Sequence, residues 1–163
     1  MSSTGTISKD FYFLHFYKIL IVLQLIRLFS NLVINTMKIN HLDAFSDNYI
    51  WTMESEGKIA IVDPGDAKPI HEYIKKTGYV LTDVLITHHH WDHTGGLEEV
   101  IEEYKCQAYG PSGGHIKGIT KPLHDNENFT ILDRYKFRAF SAPGHTNDQL
   151  SYFCDETDKP ILF

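Results

Sequence analysis

The sequence predicts an α/β fold, a layered sandwich of sheets and helices, and three observations lead to this prediction. Short β-prone runs form hairpins at both ends of residues 37–163. Two amphipathic segments, 67–76 and 97–104, have the apolar spacing of helices. Strands and helices alternate only loosely, so a doubly wound parallel sheet fits the pattern less well.

The first elements form a β-meander. Its three strands are predicted over residues 37–42, 48–53 and 58–62. Glu56-Gly57 has the composition of a tight turn, and residues 63–66, Asp-Pro-Gly-Asp, have turn chemistry that ends the meander. A helix over 67–76 should follow and stop at Gly78.

The later elements continue the layered pattern. The predicted elements are a buried strand over 82–87, a helix over 97–104 with an acidic outer face, a strand over 106–109, a hairpin of 129–132 and 135–140, a strand over 150–154 and another that begins at 160. Residues 110–118 are predicted to be a loop.

Residues 1–36 differ in character from residues 37–163, and we predict a domain boundary between them. The apolar run Ile19–Leu23 lies between Lys18 and Arg27 and is too short to span a bilayer. Met37 would suit the start of the organised chain, so the favoured interpretation is that residues 1–36 are not part of the natural product. An amphipathic, membrane-anchoring or organelle-targeting segment is the alternative.

Composition narrows the class of protein. The chain has 163 residues, of which 42% are hydrophobic and 22% charged, as in an ordinary globular domain. The net charge of −6 argues against the strongly basic surface with which proteins bind nucleic acid. The two cysteines, Cys106 and Cys154, form no disulfide framework and fit a reducing compartment. We therefore expect a cytoplasmic monomer that does not bind nucleic acid.

The most informative stretch is Thr87–Gly96, directly after the buried strand. It holds four side chains suited to metal ligation, His88, His90, Asp92 and His93. His88 and His90 are two residues apart and point the same way in extended chain. Imidazole nitrogen together with carboxylate oxygen suits zinc, iron or manganese. One loop can therefore supply two ligands to one cation and two to another.

A second motif, Ala142-Pro143-Gly144-His145-Thr146, places one histidine on a tight turn. His88 and His90 need a third ligand, and His145 is the best candidate. The histidines at 41, 115 and 124 lie outside any cluster in the sequence. Asp63, at the end of strand 58–62, is either a carboxylate that orients a ligating imidazole or a simple turn residue.

These motifs resemble a known family. Thr-His-x-His-x-Asp-His with Gly-Gly behind it, and Pro-Gly-His-Thr further along, is similar to the metallo-β-lactamase superfamily. Residues 44–51, 61–67 and 109–111 resemble, in order and spacing, the glyoxalase II (hydroxyacylglutathione hydrolase) family within it. The resemblance covers residues 37–163 and none of residues 1–36.

The resemblance implies an αββα sandwich with two divalent cations, most commonly zinc, with iron and manganese as alternatives. By this resemblance, His88, His90 and His145 hold the first cation. Asp92 and His93 belong to the second, and Asp92 also orients the nucleophile. The implied reaction converts the glutathione thioester S-lactoylglutathione to lactate and glutathione, a step of methylglyoxal detoxification.

In the family, a bridging Asp and a last His ligand belong to motifs further along than residue 163. We therefore expect an incomplete sandwich, without its second half and the C-terminal helical domain, and a second cation with too few ligands. Negligible hydrolase activity of these 163 residues follows from that expectation. The alternatives are a metal-binding fragment without turnover and another metallo-β-lactamase-type hydrolase, acting on a lactone, a β-lactam or a phosphodiester.

Overall fold

The computed structural model describes residues 18–25 and 37–163. The chain divides into two compact units, Met1–Asn35 and Thr36–Phe163. In the first unit, residues 18–25 form helix α1 and expose their apolar side chains. The other interpretations of residues 1–36 lie outside the described residues. None of the helices described is long and apolar enough to cross a membrane.

Residues 37–163 form ten strands and three helices. The strands are β1 (Lys38–Ala44), β2 (Asn48–Ser55), β3 (Lys58–Val62), β4 (Val80–Leu85), β5 (Gln107–Pro111), β6 (Lys121–Leu123), β7 (Asn128–Ile131), β8 (Tyr135–Ser141), β9 (Leu150–Cys154) and β10 (Ile161–Leu162). The helices are α2 (Ala67–Thr77), α3 (Trp91–Thr94) and α4 (Leu97–Tyr104).

The first sheet has six strands in the order β1-β2-β3-β4-β5-β6. Its first three strands are antiparallel, which confirms the predicted meander, and β3 to β6 are parallel. Parallel neighbours need a crossover, which α2 supplies between β3 and β4 and α4 between β4 and β5. Ile59, Ile61, Val84, Ile70 and Val100 join these helices and the sheet in one buried cluster.

The second sheet has four antiparallel strands in the order β10-β9-β8-β7. It packs on the opposite face of the first sheet through a second buried cluster that includes Met53, Val62, Leu85, Phe137 and Tyr152. Successive residues of β3 alternate between the two clusters, as the pleat of a strand requires. The predicted layered sandwich is confirmed in part. One layer of helices covers one face of the first sheet, and the four-stranded second sheet packs on the other face.

Two boundaries show how local chemistry sets the elements. Helix α2 ends at Gly78, whose φ of 71° is the left-handed cap that the sequence predicts. Strand β4 ends at Leu85, two residues before the predicted end. Thr87 leaves the ladder because its N–H donates to the Asp63 carboxylate (2.7 Å) and its carbonyl accepts from the Leu150 N–H (2.9 Å).

Candidate metal centre

Three imidazoles from two loops converge at one end of the sandwich. His88 and His90 follow β4, and His145 lies between β8 and β9. The ring centroids are 4.8 Å apart for His88 and His90, 5.0 Å for His88 and His145, and 4.7 Å for His90 and His145. One nitrogen from each ring lies within 4.8 Å of the others. We call these three residues the primary cluster.

Hydrogen bonds to backbone carbonyls hold the two loops together. The Leu150 N–H, at the start of β9, donates to the Thr87 carbonyl at 2.9 Å, and the Tyr152 hydroxyl donates to the Ile86 carbonyl. The loop that carries His145 is closed at its base by the Ala142 N–H, which donates to the Gln149 carbonyl at 2.9 Å. These hydrogen bonds fix the position of β9 and of the loop before it relative to the end of β4, and they therefore place His145 next to His90.

His88 provides a test of whether a metal fits the primary cluster. Its side chain is only 4% exposed, and its Nε2 is one of two buried side-chain atoms in the described residues that have no hydrogen-bond partner. The Thr87 hydroxyl donates to Asp63 (2.6 Å), so its oxygen is free to accept from Nδ1–H of His88 at 2.9 Å. This tautomer leaves a bare lone pair on Nε2, as a metal ligand requires.

The pKa of His88 supports the same conclusion. Burial of the ring lowers the pKa of His88, and the neighbouring His93, His90 and His145 lower it further. The ring is therefore neutral in the pH range where an ordinary histidine begins to gain a proton. A buried, neutral and unpartnered imidazole is costly unless a ligand occupies its free nitrogen.

Asp92 and His93, on the short helix α3, form a second pair of donors beside the primary cluster. His93 Nε2 lies 3.4 Å from Asp92 Oδ2, and the ring centroids of His93 and His88 are 4.2 Å apart. The Asn48 amide donates to Asp92 Oδ2 at 3.0 Å and to the Asp92 carbonyl at 3.3 Å. This hydrogen bond lowers the pKa of the Asp92 carboxyl. Asp92 is therefore anchored from β2, and its carboxyl is ionised near neutral pH.

Asp63 accepts hydrogen bonds that support His88, in the primary cluster, and His93, in the second pair. Its Oδ1 accepts from the Thr87 N–H, while its Oδ2 accepts from the Thr87 hydroxyl and, at 3.0 Å, from Nδ1 of His93. The hydrogen bond to Asp63 raises the pKa of His93 and directs its Nε2 towards Asp92. Asp63, His88 and His93 also have donors within 4.8 Å of one another, but the carboxylate oxygens of Asp63 already accept these hydrogen bonds.

Glycines allow the turn after β3 to approach the histidine loop. A Cβ on Gly65 would lie 1.9 Å from the Asp92 carbonyl oxygen, and one on Gly95 would lie 2.7 Å from the Gly65 carbonyl oxygen. The Gly96 N–H donates to the Pro64 carbonyl at 2.8 Å. Side chains at these positions would separate Asp63 from the loop that it holds.

The structure also brings together residues that the sequence did not connect. His115, which the sequence places outside any cluster, in fact lies with His89 and Asp148, and the donors of all three are within 4.8 Å of one another. We call these residues the outer cluster. Asn48 was likewise not identified as a partner of Asp92. Both contacts join segments far apart in the sequence, and no local pattern signals them.

Comparisons with known proteins agree with this geometry. Residues 45–158 match the model of the metallo-β-lactamase superfamily. A hydroxyacylglutathione hydrolase of Idiomarina loihiensis is 36% identical over 129 residues, which cover 74% of this chain and 51% of the relative. Another, of Hahella chejuensis, is 41% identical over 123 residues, covering 75% of this chain and 48% of the relative. The chain spans about half the length of the curated relatives it matches.

Solved structures share the fold at lower identity. The subclass B3 metallo-β-lactamase of Bradyrhizobium japonicum superposes with a TM-score of 0.63 at 20% identity, covering 78% of this chain and 59% of that one. ETHE1 of Myxococcus xanthus gives a TM-score of 0.63 at 21% identity, covering 72% of this chain and 54% of that one. The resemblance to hydroxyacylglutathione hydrolases is thus confirmed by relatives of that name, and the chain belongs to the metallo-β-lactamase superfamily.

Proposed function

We propose that this chain carries the metal-binding part of a hydrolase that cleaves a glutathione thioester. The proposed substrate is S-lactoylglutathione or a similar S-2-hydroxyacylglutathione, and the products are the hydroxy acid and glutathione. The observation that carries the proposal is the primary cluster, in which the buried Nε2 of His88 has no hydrogen-bond partner within residues 18–25 and 37–163. The curated relatives named hydroxyacylglutathione hydrolase support the choice of substrate.

The donor set suits divalent transition metals. His88, His90 and His145 would hold the first cation, and Asp92 and His93 would contribute to the second. Zinc fits imidazole and carboxylate ligands best, with iron and manganese as alternatives. Such cations supply a water of lowered pKa and polarise the carbonyl that it attacks.

The residues of the chain would prepare this chemistry by fixing the ligands. Asp63 orients His93 directly and, through Thr87, selects the tautomer of His88. Asn48 keeps the Asp92 carboxylate in place and ionised, so that Asp92 can ligate and orient the nucleophile. Since a thiolate is a good leaving group, a thioester needs little acid assistance.

A second candidate function is metal binding without turnover. The primary cluster offers three imidazoles, whereas Asp92 and His93 offer two donors to the second position. A chain that holds one cation firmly and the second weakly would bind metal and hydrolyse little substrate. The two candidates therefore differ in turnover of the substrate by the metal-loaded chain, and turnover is the deciding measurement.

The experiment measures bound metal and hydrolysis on the purified 163-residue chain after reconstitution with zinc. S-lactoylglutathione and a chromogenic cephalosporin are compared as substrates. Thioester hydrolysis that His88→Ala abolishes and His124→Ala preserves would support the hydrolase. Bound metal without turnover of either substrate would favour the second candidate, and preferential cleavage of the cephalosporin would contradict the proposed substrate.

We further propose that the protein acts as a cytoplasmic monomer on this small-molecule substrate. The charge of −6 and the two free cysteines, both buried, support this proposal. Size-exclusion chromatography with light scattering tests the oligomeric state, and a stable dimer at micromolar concentration would contradict it.

A further inference from the structure

The outer cluster lies beside the primary cluster, with the ring centroids of His89 and His90 5.0 Å apart. It takes its residues from the same two loops and from the loop after β5. The Asp148 carboxylate lies between two imidazoles, 2.8 Å from Nδ1 of His89 through one oxygen and 2.8 Å from Nε2 of His115 through the other. The ring centroids of His89 and His115 are 5.4 Å apart. Two imidazoles and one carboxylate are a donor set that divalent transition metals bind.

Burial and charge favour a cation at this position. The Asp148 side chain is only 14% exposed. Burial alone would raise the pKa of its carboxyl, but hydrogen bonds from neighbouring side chains, His115 and His89 among them, outweigh burial and hold that pKa well below its usual range. The carboxylate is therefore an anion held between two imidazoles, and it can balance part of the charge of a cation.

There is also space for an ion and its water ligands. His89 and His115 line a cavity of about 390 Å³, whose wall also includes the charged side chains of Glu98 and Lys117. Asp148 lines a second cavity of about 310 Å³. The two imidazole side chains are 44% and 42% exposed. Ligation requires each ring nitrogen that donates to Asp148 to give up its proton to solvent, and the exposure of both rings provides that access.

We propose that His89, His115 and Asp148 form a further binding site for a divalent transition-metal ion, with zinc as the ion to test. The site is distinct from the primary cluster and from the pair Asp92 and His93, and it does not depend on the substrate proposed above. Its three ligands come from the loop after β4, the loop after β5 and the loop between β8 and β9.

An ion in the outer cluster would cross-link these loops. His89 lies between two primary ligands, His88 and His90, and Asp148 lies three residues after the third, His145. Fixing His89 to Asp148 would therefore also fix the separation of the loops that form the primary cluster. Zinc bound here should raise the thermal stability of the chain beyond what the primary cluster gives, because ligands of the folded state stabilise it by mass action.

The test is zinc binding by equilibrium dialysis on the full 163-residue chain and three variants. His115→Ala removes one outer ligand, Asp148→Asn removes the charge at similar shape, and His124→Ala removes an exposed histidine that belongs to neither cluster. We expect the two outer-cluster variants to bind one ion fewer per chain than the unmodified chain, and His124→Ala to bind the same number.

Equal stoichiometry in the unmodified chain and His115→Ala would overturn the proposal. An equal loss in His124→Ala would show adventitious binding to exposed imidazoles and would overturn it as well. Circular dichroism checks the fold, and because His115 is on the surface, its variant gives the decisive comparison if Asp148→Asn is destabilised. The zinc-dependent rise in melting temperature should be smaller in His115→Ala than in His124→Ala.

Discussion

The primary and outer clusters share two loops, and a third loop adds His115 to the outer cluster. The two clusters differ in how their polar atoms are satisfied. In the primary cluster, His88 is buried and its Nε2 has no hydrogen-bond partner in the part of the chain that the structure describes. In the outer cluster, the Asp148 carboxylate already accepts from His89 and His115, and both rings are half-exposed. In the primary cluster His145 Nε2 and His90 Nδ1 are also hydrogen-bonded to each other, at 3.0 Å, so the two sites differ chiefly at the buried His88.

This difference indicates which site a metal needs more. An unpaired buried nitrogen costs free energy in the absence of a ligand, whereas a hydrogen-bonded surface cluster is stable by itself. We therefore expect tight binding at the primary cluster and weaker, exchangeable binding at the outer cluster. Substitutions that touch only one cluster can separate the two contributions.

The largest effect should come from His88→Ala. This change removes the buried ligand, and the affinity of the first cation should fall by more than the roughly 10- to 100-fold that loss of a residue supporting a ligand costs. The outer cluster should keep its ion because His88 makes no contact with Asp148 there. Competition with a chromogenic chelator measures both affinities, with His124→Ala as control. Unchanged tight binding would show that the primary cluster is not the metal site.

Asp63→Asn should have the next largest effect, a loss of about 10- to 100-fold in metal affinity at the primary cluster. The amide cannot accept from Thr87 and His93 as the carboxylate does, so the tautomers of the ligands are no longer fixed. Asp66→Asn is the matched control, because it removes the same charge three residues away and still caps α2. Equal losses in both variants would indicate a general effect of charge and contradict the role given to Asp63.

The sequence predicts the fold well wherever the signals are local. The turn at Glu56-Gly57 and the stop at Gly78 depend on adjacent residues, and the structure has both. Strand β6 and helix α3 were not predicted. Strand β6 has three residues, and α3 has four and lies against the turn that carries Gly65, so their sequence patterns are too short to detect.

The same limit applies to the candidate site. His88, His90, Asp92 and His93 were predicted together because one loop contains them all, and the structure brings them close to one another. The contact of His115 with Asp148 spans 33 residues. It depends on the conformations of two loops that are set by packing, and no spacing rule reveals it.

Gly65→Ala should destabilise the fold around the primary cluster, since its Cβ would overlap the Asp92 carbonyl. Overpacking of this kind costs about 1–3 kcal/mol in the free energy of unfolding. Gly144→Ala is the matched control, because its Cβ would meet no atom within 4 Å. Urea denaturation of the metal-free chain measures both. Equal stability of the two variants would contradict the close approach of the turn and the histidine loop.

The smallest effect should come from Asn48→Ala, which tests how far the binding of the second cation by Asp92 and His93 is independent of the primary cluster. Loss of the amide raises the pKa of Asp92 towards its ordinary value, because the hydrogen bond now lowers it. One hydrogen bond is worth about 0.5–1.5 kcal/mol, or roughly 2- to 10-fold in affinity for the second cation.

Asn40→Ala is the matched control for Asn48→Ala, because it removes a similar amide–carboxylate hydrogen bond, to Glu54 at 3.0 Å, on the neighbouring strand β1. Calorimetric titration with zinc should show weaker binding of the second ion in Asn48→Ala alone, with the first ion unchanged in both variants. A weakened first ion in Asn48→Ala would instead mean that Asp92 supports the primary cluster, and that the two positions are not separable.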